Sequence, residues 1–173
     1  IPPTNLSYTT PNIYTRSVVI GSLTPSVSGG PVVTYSINPN LPDGLSLNTS
    51  TGYITGTPTT ISVSKTYTIT ATNTGGSSTT NIRLTVNDLA PTNLLYASPK
   101  VYTKGTTIAL LSPTSTGGSI VSYSVNPSLP TGLTLNTSNG NISGNPSIVV
   151  ASAIYTITAT NSGGSTSFGI NIT

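Results

Sequence analysis

The sequence predicts an all-β chain made of two antiparallel Greek-key sandwiches in tandem. Three observations predict it: a gap-free internal repeat, apolar residues alternating with Thr and Ser at period two, and turn-forming clusters at short spacing. No stretch carries the three-to-four-residue apolar spacing of an amphipathic helix.

The repeat sets the domain count. Pro3-Thr4-Asn5-Leu6 recurs as Pro91-Thr92-Asn93-Leu94, a shift of 91 − 3 = 88 residues. The same shift carries Gly29-Gly30 to Gly117-Gly118, Leu41-Pro42 to Leu129-Pro130, and Gly44-Leu45 to Gly132-Leu133. It also carries the heptapeptide Tyr67–Asn73 onto Tyr155–Asn161 without change. A unit of this size buries only about 60–65% of its surface, yet it can close a core alone, whereas solenoid repeats are shorter and cannot. Two domains, 1–87 and 88–173, are therefore expected. The joint Val86-Asn87-Asp88-Leu89-Ala90-Pro91 lacks Gly and ends in Pro, which favours a stiff, extended connection.

Within the first unit the elements follow in order. Val33, Tyr35 and Ile37 alternate with Thr34, Ser36 and Asn38, the pattern of a half-buried strand. Asn38-Pro39-Asn40-Leu41-Pro42-Asp43-Gly44 is neither helix nor central strand, because two prolines remove donors and fix φ. Leu45 and Leu47 alternate again. Thr49-Ser50-Thr51-Gly52 turns, and Tyr53-Ile54-Thr55 returns; the second copy has Asn139-Gly140 at this turn, a strong hairpin signal. Tyr67-Thr68-Ile69-Thr70-Ala71-Thr72 and the Ile82, Leu84, Val86 series are the last two strands, joined across Gly75-Gly76. Thr on the outer faces suits the pleat through its branched Cβ. The expected core is Tyr35, Ile37, Leu45, Leu47, Ile54, Tyr67, Ile69, Ile82 and Leu84, with their partners 88 residues later.

Composition narrows function. The 173 residues include five bases (Arg16, Lys65, Arg83, Lys100, Lys104) and two acids (Asp43, Asp88), with no Glu, His, Cys, Met or Trp. Ser, Thr and Asn make up roughly two-fifths of the chain. Without His or Cys there is no zinc site, no haem or iron–sulfur ligation, no thiol nucleophile, no Ser-His-Asp triad and no disulfide. Ser-Lys chemistry is formally possible, but no motif places a Ser beside Lys65, Lys100 or Lys104 in a strained turn. No catalytic residues, metal or cofactor are expected. A net charge of +3, spread along the chain, forms no patch that neutralises many phosphates, so nucleic acid is not an expected partner. There is no run of about twenty apolar residues, so no membrane insertion is expected. The opening Ile1-Pro2-Pro3 has no basic region or apolar core, and no signal peptide is expected in it.

Leu41-Pro42-Asp43-Gly44-Leu45-Ser46-Leu47-Asn48, then Thr51-Gly52-Tyr53-Ile54-Thr55-Gly56-Thr57-Pro58, then Tyr67–Asn73 with Gly75-Gly76, resembles the bacterial putative Ig repeats. These are related to cadherin-like modules of the dystroglycan type. The second copy matches through Leu129-Pro130-Thr131-Gly132-Leu133 and Gly144-Asn145-Pro146, so the resemblance covers both units. It implies Ig-like or cadherin-like sandwiches, and a role as spacer or adhesive stalk of a bacterial secreted or surface protein. Fold by itself licenses no function.

The resemblance raises two further chemistries. Cadherin-like modules hold calcium at domain joints, but Ca²⁺ wants six to eight oxygens, several from carboxylates, and only Asp88 lies at this joint. Some surface Ig-like modules carry Lys–Asn isopeptide bonds. Lys65 is in phase with Tyr67, but its counterpart is Ala153 and there is no Glu to catalyse, so Lys65 is expected at a strand end with its head in water.

Tyrosines are the binding candidates. Tyr35, Tyr67, Tyr123 and Tyr155 are expected inside, the last pair in a corner-type hydrogen bond. Tyr8, Tyr14, Tyr96 and Tyr102 are expected near strand edges, capping the sandwich or stacking on a sugar. Tyr53, replaced by Asn141 in the second copy, is expected to be exposed. Tyr53 and Tyr102 are the candidate binding residues. Sequons at Asn5, Asn48, Asn136, Asn141 and Asn171 are expected to be bare in a bacterial protein.

Three functions compete: a stiff spacer whose partners are neighbouring Ig-like repeats, a filament subunit that donates the segment starting Pro3-Thr4-Asn5-Leu6 to a neighbour, and an adhesin for a surface glycan or protein.

Overall fold

Period-two alternation puts Tyr67, Ile69 and Ala71 on one face of a strand, and all three are buried, with Ile69 and Ala71 wholly removed from solvent. The intervening Thr66, Thr68 and Ser64 face outward or toward the rim. The structure is a computed structural model that describes all 173 residues, Ile1–Thr173. It contains strands and turns and no helix. The residues divide into two units, Ile1–Asn87 and Asp88–Thr173.

The first unit has strands β1 (Pro3–Ser7), β2 (Asn12–Thr15), β3 (Ser26–Gly29), β4 (Thr34–Asn38), β5 (Leu45–Leu47), β6 (Ile54–Gly56), β7 (Ser62–Asn73) and β8 (Gly76–Asn87). One layer is ordered β2-β8-β7-β4. The other contains the pairs β1-β3 and β5-β6, with Leu23, between β2 and β3, in an antiparallel bridge to Ile54 of β6. The long β7-β8 hairpin runs in register from Lys65–Leu84 to Asn73–Gly76 and forms the spine of the unit. Sequence neighbours thus fall into different layers, which is the Greek-key arrangement of an Ig-type sandwich.

The second unit has β9 (Pro91–Leu95), β10 (Thr114–Gly117), β11 (Ser122–Asn126), β12 (Leu133–Leu135), β13 (Ile142–Gly144), β14 (Ala153–Asn161) and β15 (Gly164–Ile172). Its layers are β11-β14-β15, and the pairs β9-β10 and β12-β13, with Leu111, between β9 and β10, in an antiparallel bridge to Ile142 of β13.

One pair departs from the antiparallel expectation. β2 lies parallel to β8, in register from Asn12–Leu84 to Thr15–Asn87. The N-terminal segment begins in one layer as β1 and crosses at Tyr8–Pro11 to the edge of the other. That covers the outer edge of β8, which would otherwise present unpaired backbone groups.

Most of the expected core is buried: Tyr35, Leu45, Ile54, Tyr67, Ile69, Ile82 and Leu84, and in the second unit Tyr123, Leu133, Ile142, Tyr155, Ile157, Ile170 and Ile172. Ile37, Leu47, Val125 and Leu135 are only partly buried and pack against the core from its margin. The core also takes in Leu6, Tyr8, Ile20 and Leu23, and Leu94, Tyr96 and Leu111, from segments with no clear alternation.

Candidate functional site

Tyrosines and open surface grooves are the features with binding chemistry. Tyr8 and Tyr96 are buried, and their hydroxyls donate to the carbonyls of Gly52 and Gly140 at 2.7 and 2.6 Å. The N-terminal segment is thereby pinned to the β5-β6 turn, or to its equivalent, across the sandwich. These bonds span 44 residues in each unit, so they differ in kind from the local corner-type bond expected of a strand tyrosine. The strand-edge expectation for Tyr8 and Tyr96 is corrected. The reason is the crossing of the N-terminal segment between layers, which carries these rings through the interior.

Gly52 and Gly140 are needed at the receiving turn. Both have positive φ, 75° and 73°, and a Cβ on either would lie within 3 Å of the Tyr35 or Tyr123 ring. Tyr35 and Tyr123 thus press on the same turns that Tyr8 and Tyr96 bond. Desolvation by burial pushes the Tyr8 and Tyr96 hydroxyls far above their ordinary range, and the neighbouring Tyr35 or Tyr123 adds to this. Burial also raises Tyr14, Tyr35, Tyr102 and Tyr123. Tyr8, Tyr35, Tyr96 and Tyr123 are buried in the cores, and the raised hydroxyls stay protonated at neutral pH.

The two candidate binding residues differ. Tyr53 sits in the β5-β6 turn, 45% exposed, its ring free to meet a partner. Its carbonyl accepts from Asn48 N–H at 2.8 Å, and its own N–H donates to Thr51 Oγ1 at 3.3 Å, so the backbone beneath it is fixed. The adjoining Asn48 Oδ1 accepts from Ser50 and Thr51 N–H at 2.9 and 3.0 Å, an Asx turn that Asn136 repeats with Ser138 and Asn139. Tyr102 is half-buried and packs against the second core. It lines a cleft of about 90 Å³ with Lys104, Leu133, Pro146, Val150 and Ile172. Tyr53 and Tyr102 belong to different units, and the structure builds no single site from them.

A second kind of feature occurs twice. Beside β4 and β5, Tyr35, Ile37, Leu41, Leu45 and Leu47 floor a shallow open groove of about 420 Å³. Tyr123, Val125, Leu129, Leu133 and Leu135 floor its counterpart of about 460 Å³. The groove exists because Ile37 and Leu47 sit at the core margin, not inside it. Its volume falls within the ligand-pocket range, but no charged group converges on it.

Asn73 and Asn161, matched in the repeat, are structural keystones that sequence reasoning did not single out. Asn161 is the one buried polar residue. Its Nδ2 donates to the Leu89 and Ser119 carbonyls at 2.7 and 3.0 Å, and its Oδ1 accepts from Gly163 and Gly164 N–H at 2.8 and 3.2 Å. Asn73 does the same with the Ile1 and Pro31 carbonyls and the Gly75 N–H. An identical Asn two residues before Gly-Gly in both copies was the available signal.

Asp43 and Asp88 belong to different units, and no three acidic or His/Cys groups stand together. Asp88 Oδ1 accepts from Leu89 N–H at 2.8 Å. Lys65 is exposed, as expected, with Nζ 5.9 Å from the centre of the Tyr67 ring.

Comparison with known proteins gives the family. A model of the family described as "Putative Ig domain" matches residues 2–87 and again 91–173. A Staphylococcus aureus protein, "Serine-rich adhesin for platelets", is 32% identical over 147 residues, which are 83% of this chain and 6% of that protein. The protein of that name in strain MRSA252 is 31% identical over 147 residues, 83% of this chain and 11% of its own length. The chain therefore spans a small fraction of these relatives. Among solved structures, the N-terminal four Ig domains of Dscam1 isoform 9.44 superpose with a TM-score of 0.53 at 16% identity, covering 96% of this chain and 44% of that one. Extracellular domains 3–5 of Drosophila OTK give 0.52 at 16% identity, covering 96% and 60%. These structural likenesses bear on the fold alone.

Proposed function

We propose that this chain, which belongs to the Putative Ig domain family and carries two tandem members of it, is a non-enzymatic structural and adhesive module of a bacterial secreted or surface protein, acting as a stiff spacer. The observation that carries the reading is the pair of separately closed cores in one gap-free tandem. The relatedness to part of a staphylococcal adhesin supports an extracellular, surface-linked setting. A Ser/Thr/Asn exterior keeps such a spacer hydrated without chemistry, and two acids, one in each unit, suit it better than carboxylate-pair hydrolysis. The partners on this reading are neighbouring Ig-like repeats.

Single-molecule stretching tests it. Two unfolding events are expected, each releasing roughly 300 Å of chain at about 3.6 Å per residue. One event releasing the whole length would refute the two-module reading. Scattering tests the spacer: two units collapsed on each other would count against it.

An adhesive reading has its own support in Tyr53, whose exposed ring stands on a fixed turn, and in the duplicated groove. On this reading Tyr53 and Tyr102 contact a surface glycan or protein. A glycan and matrix-protein array on which Tyr53→Ala and Tyr102→Ala lose signal would establish it; no binding by the parent chain would remove it. Filament assembly by strand addition would require β1 to leave β3, its partner in the same unit. Concentration-dependent polymers would be its signature.

A further inference from the structure

The side chains that oxidise readily are Cys, Met, Trp, Tyr and, more slowly, His. Of these the chain has Tyr alone, in nine copies. One-electron chemistry therefore has a single kind of target, and burial sorts the nine. Tyr8, Tyr35, Tyr67, Tyr96, Tyr123 and Tyr155 are at most 8% exposed. Tyr14 and Tyr102 are half-buried against the two cores. Tyr53, at 45%, is the one exposed tyrosine.

A tyrosyl radical couples to another ring at a carbon next to the hydroxyl, so two rings must meet edge to edge. A ring inside a sandwich is closed to that approach, whereas a ring on an outer turn is open to it. The backbone beneath Tyr53 is common to both units. Asn48 N–H donates to the Tyr53 carbonyl at 2.8 Å, and Asn136 N–H donates to the Asn141 carbonyl at 2.8 Å. Tyr53 N–H donates to Thr51 Oγ1, and Asn141 N–H donates to Asn139 Oδ1. The turn is thus duplicated, but the phenol on it belongs to the first unit alone. Residues 48–53 include no charged side chain, so two copies meet there without local repulsion.

We propose that Tyr53 is an oxidative cross-linking site, at which a haem peroxidase using hydrogen peroxide joins two copies of this chain by a carbon–carbon bond between their Tyr53 rings. Each phenol O–H gives up one hydrogen atom, as an electron and a proton. The peroxide O–O bond breaks, takes up both electrons and both protons, and leaves as two waters. The two radicals then couple at ring carbons beside the hydroxyls, and the hydrogens on those carbons move to the oxygens, restoring two phenols. Two tyrosines and one peroxide thus give one dityrosine and two waters. With one open phenol per chain the reaction ends at a dimer. It supplies a covalent link to a chain that has no Cys for a disulfide.

The test treats the 173-residue chain with a haem peroxidase and hydrogen peroxide, and reads denaturing gels, dityrosine fluorescence and the mass of the joined peptides. A covalent dimer is expected as the limiting product, linked between two Tyr53 peptides and two hydrogens lighter than their sum. Tyr53→Phe keeps the ring and removes the hydroxyl; it is expected to abolish dimer and fluorescence with an unchanged melting curve. Adding Asn141→Tyr to Tyr53→Phe places a phenol on the matching turn of the second unit, and is expected to restore a dimer linked at position 141. Polymers from the parent chain, dimers from Tyr53→Phe, or links mapped to Tyr14 or Tyr102 would overturn the proposal. So would failure of the double variant to dimerise, or no dimer from the parent while free tyrosine couples in the same reaction. Arrays on which the parent binds nothing would remove the adhesive reading and leave this inference standing, because the coupling needs no ligand.

Discussion

Replacing Asn161 removes the most densely bonded side chain in the second unit. Its amide makes four hydrogen bonds to Leu89, Ser119, Gly163 and Gly164, from a side chain only 8% exposed. Each bond contributes about 0.5–1.5 kcal/mol net, and a buried group left unpaired costs more. Water reaches some of these turn groups once the amide is gone, so Asn161→Ala is expected to cost about 3–5 kcal/mol. A unit of this size holds roughly 4–13 kcal/mol in total. The second-unit transition should therefore fall by roughly 12 °C or more in calorimetry, with the first unit unmoved. Asn161→Asp is the sharper probe. It keeps the acceptor for Gly163 and Gly164 but turns an acceptor toward the Leu89 and Ser119 carbonyls, where a donor is needed. At pH 7 it should destabilise more than Ala, since a charge is held against two carbonyls. This environment raises the folded-state pKa of the carboxyl above its unfolded value near 3.9. The stability contribution is then present below the unfolded pKa and lost as pH rises through the folded one. Asn161→Asp should thus recover toward pH 4 and Ala should not. The parent chain has only Asp43 and Asp88 to confuse that comparison. A loss under about 1 kcal/mol for Ala, or Asp tracking Ala at every pH, would refute the keystone role.

Further expectations follow from the same packing. Tyr96→Phe should lower the second-unit midpoint by about 1–3 kcal/mol of stability, because the Gly140 carbonyl loses a 2.6 Å partner; Tyr8→Phe should do the same to the first unit, and equal midpoints with the parent would contradict it. Gly140→Ala should be worse than an ordinary turn substitution, since its φ is 73° and the Tyr123 ring fills the space; unchanged thermal unfolding would sink this account. Tyr8, Tyr35, Tyr96 and Tyr123 have folded pKa values raised by burial, so their contribution is fully present below pH 10 and lost as pH rises above it toward the folded values. Ultraviolet titration should show slow, unfolding-linked ionisation of these rings. Immediate ionisation of all nine tyrosines near pH 10 in folded protein would contradict it. Tyr53→Ala should leave the melting curve within about 0.5 kcal/mol of the parent, as a half-exposed ring on a turn supports little packing.

Much of the fold was legible because its strands are simple. β7 and β14 alternate apolar residues with Thr without interruption, and a strand has only two faces. The β4–β5 connection was legible from its prolines, and the hairpin turn from Asn139-Gly140. Legibility failed where one segment serves two layers. Tyr8 sits among Ser7, Thr9 and Thr10, with no period to declare that it is buried. Its burial follows from the crossing at Tyr8–Pro11, which no local pattern encodes. The candidate site divides likewise. Tyr53 was legible as exposed because its counterpart is Asn141, and a core position does not tolerate that exchange. Tyr102 was less so, since its surroundings are assembled from Pro146, Val150 and Ile172, distant in sequence.

By itself the amino-acid order determined the number of copies, the strand class, the turns and the absence of thiol and imidazole groups, because each is a property of neighbouring residues or of composition. Tertiary structure alone decided that β2 joins β8 in parallel, and that Tyr8 and Asn161 tie backbone carbonyls from remote loops. These depend on which edges and carbonyls meet once both layers close, and the hydrogen-bonding demands of buried backbone are met only at that stage.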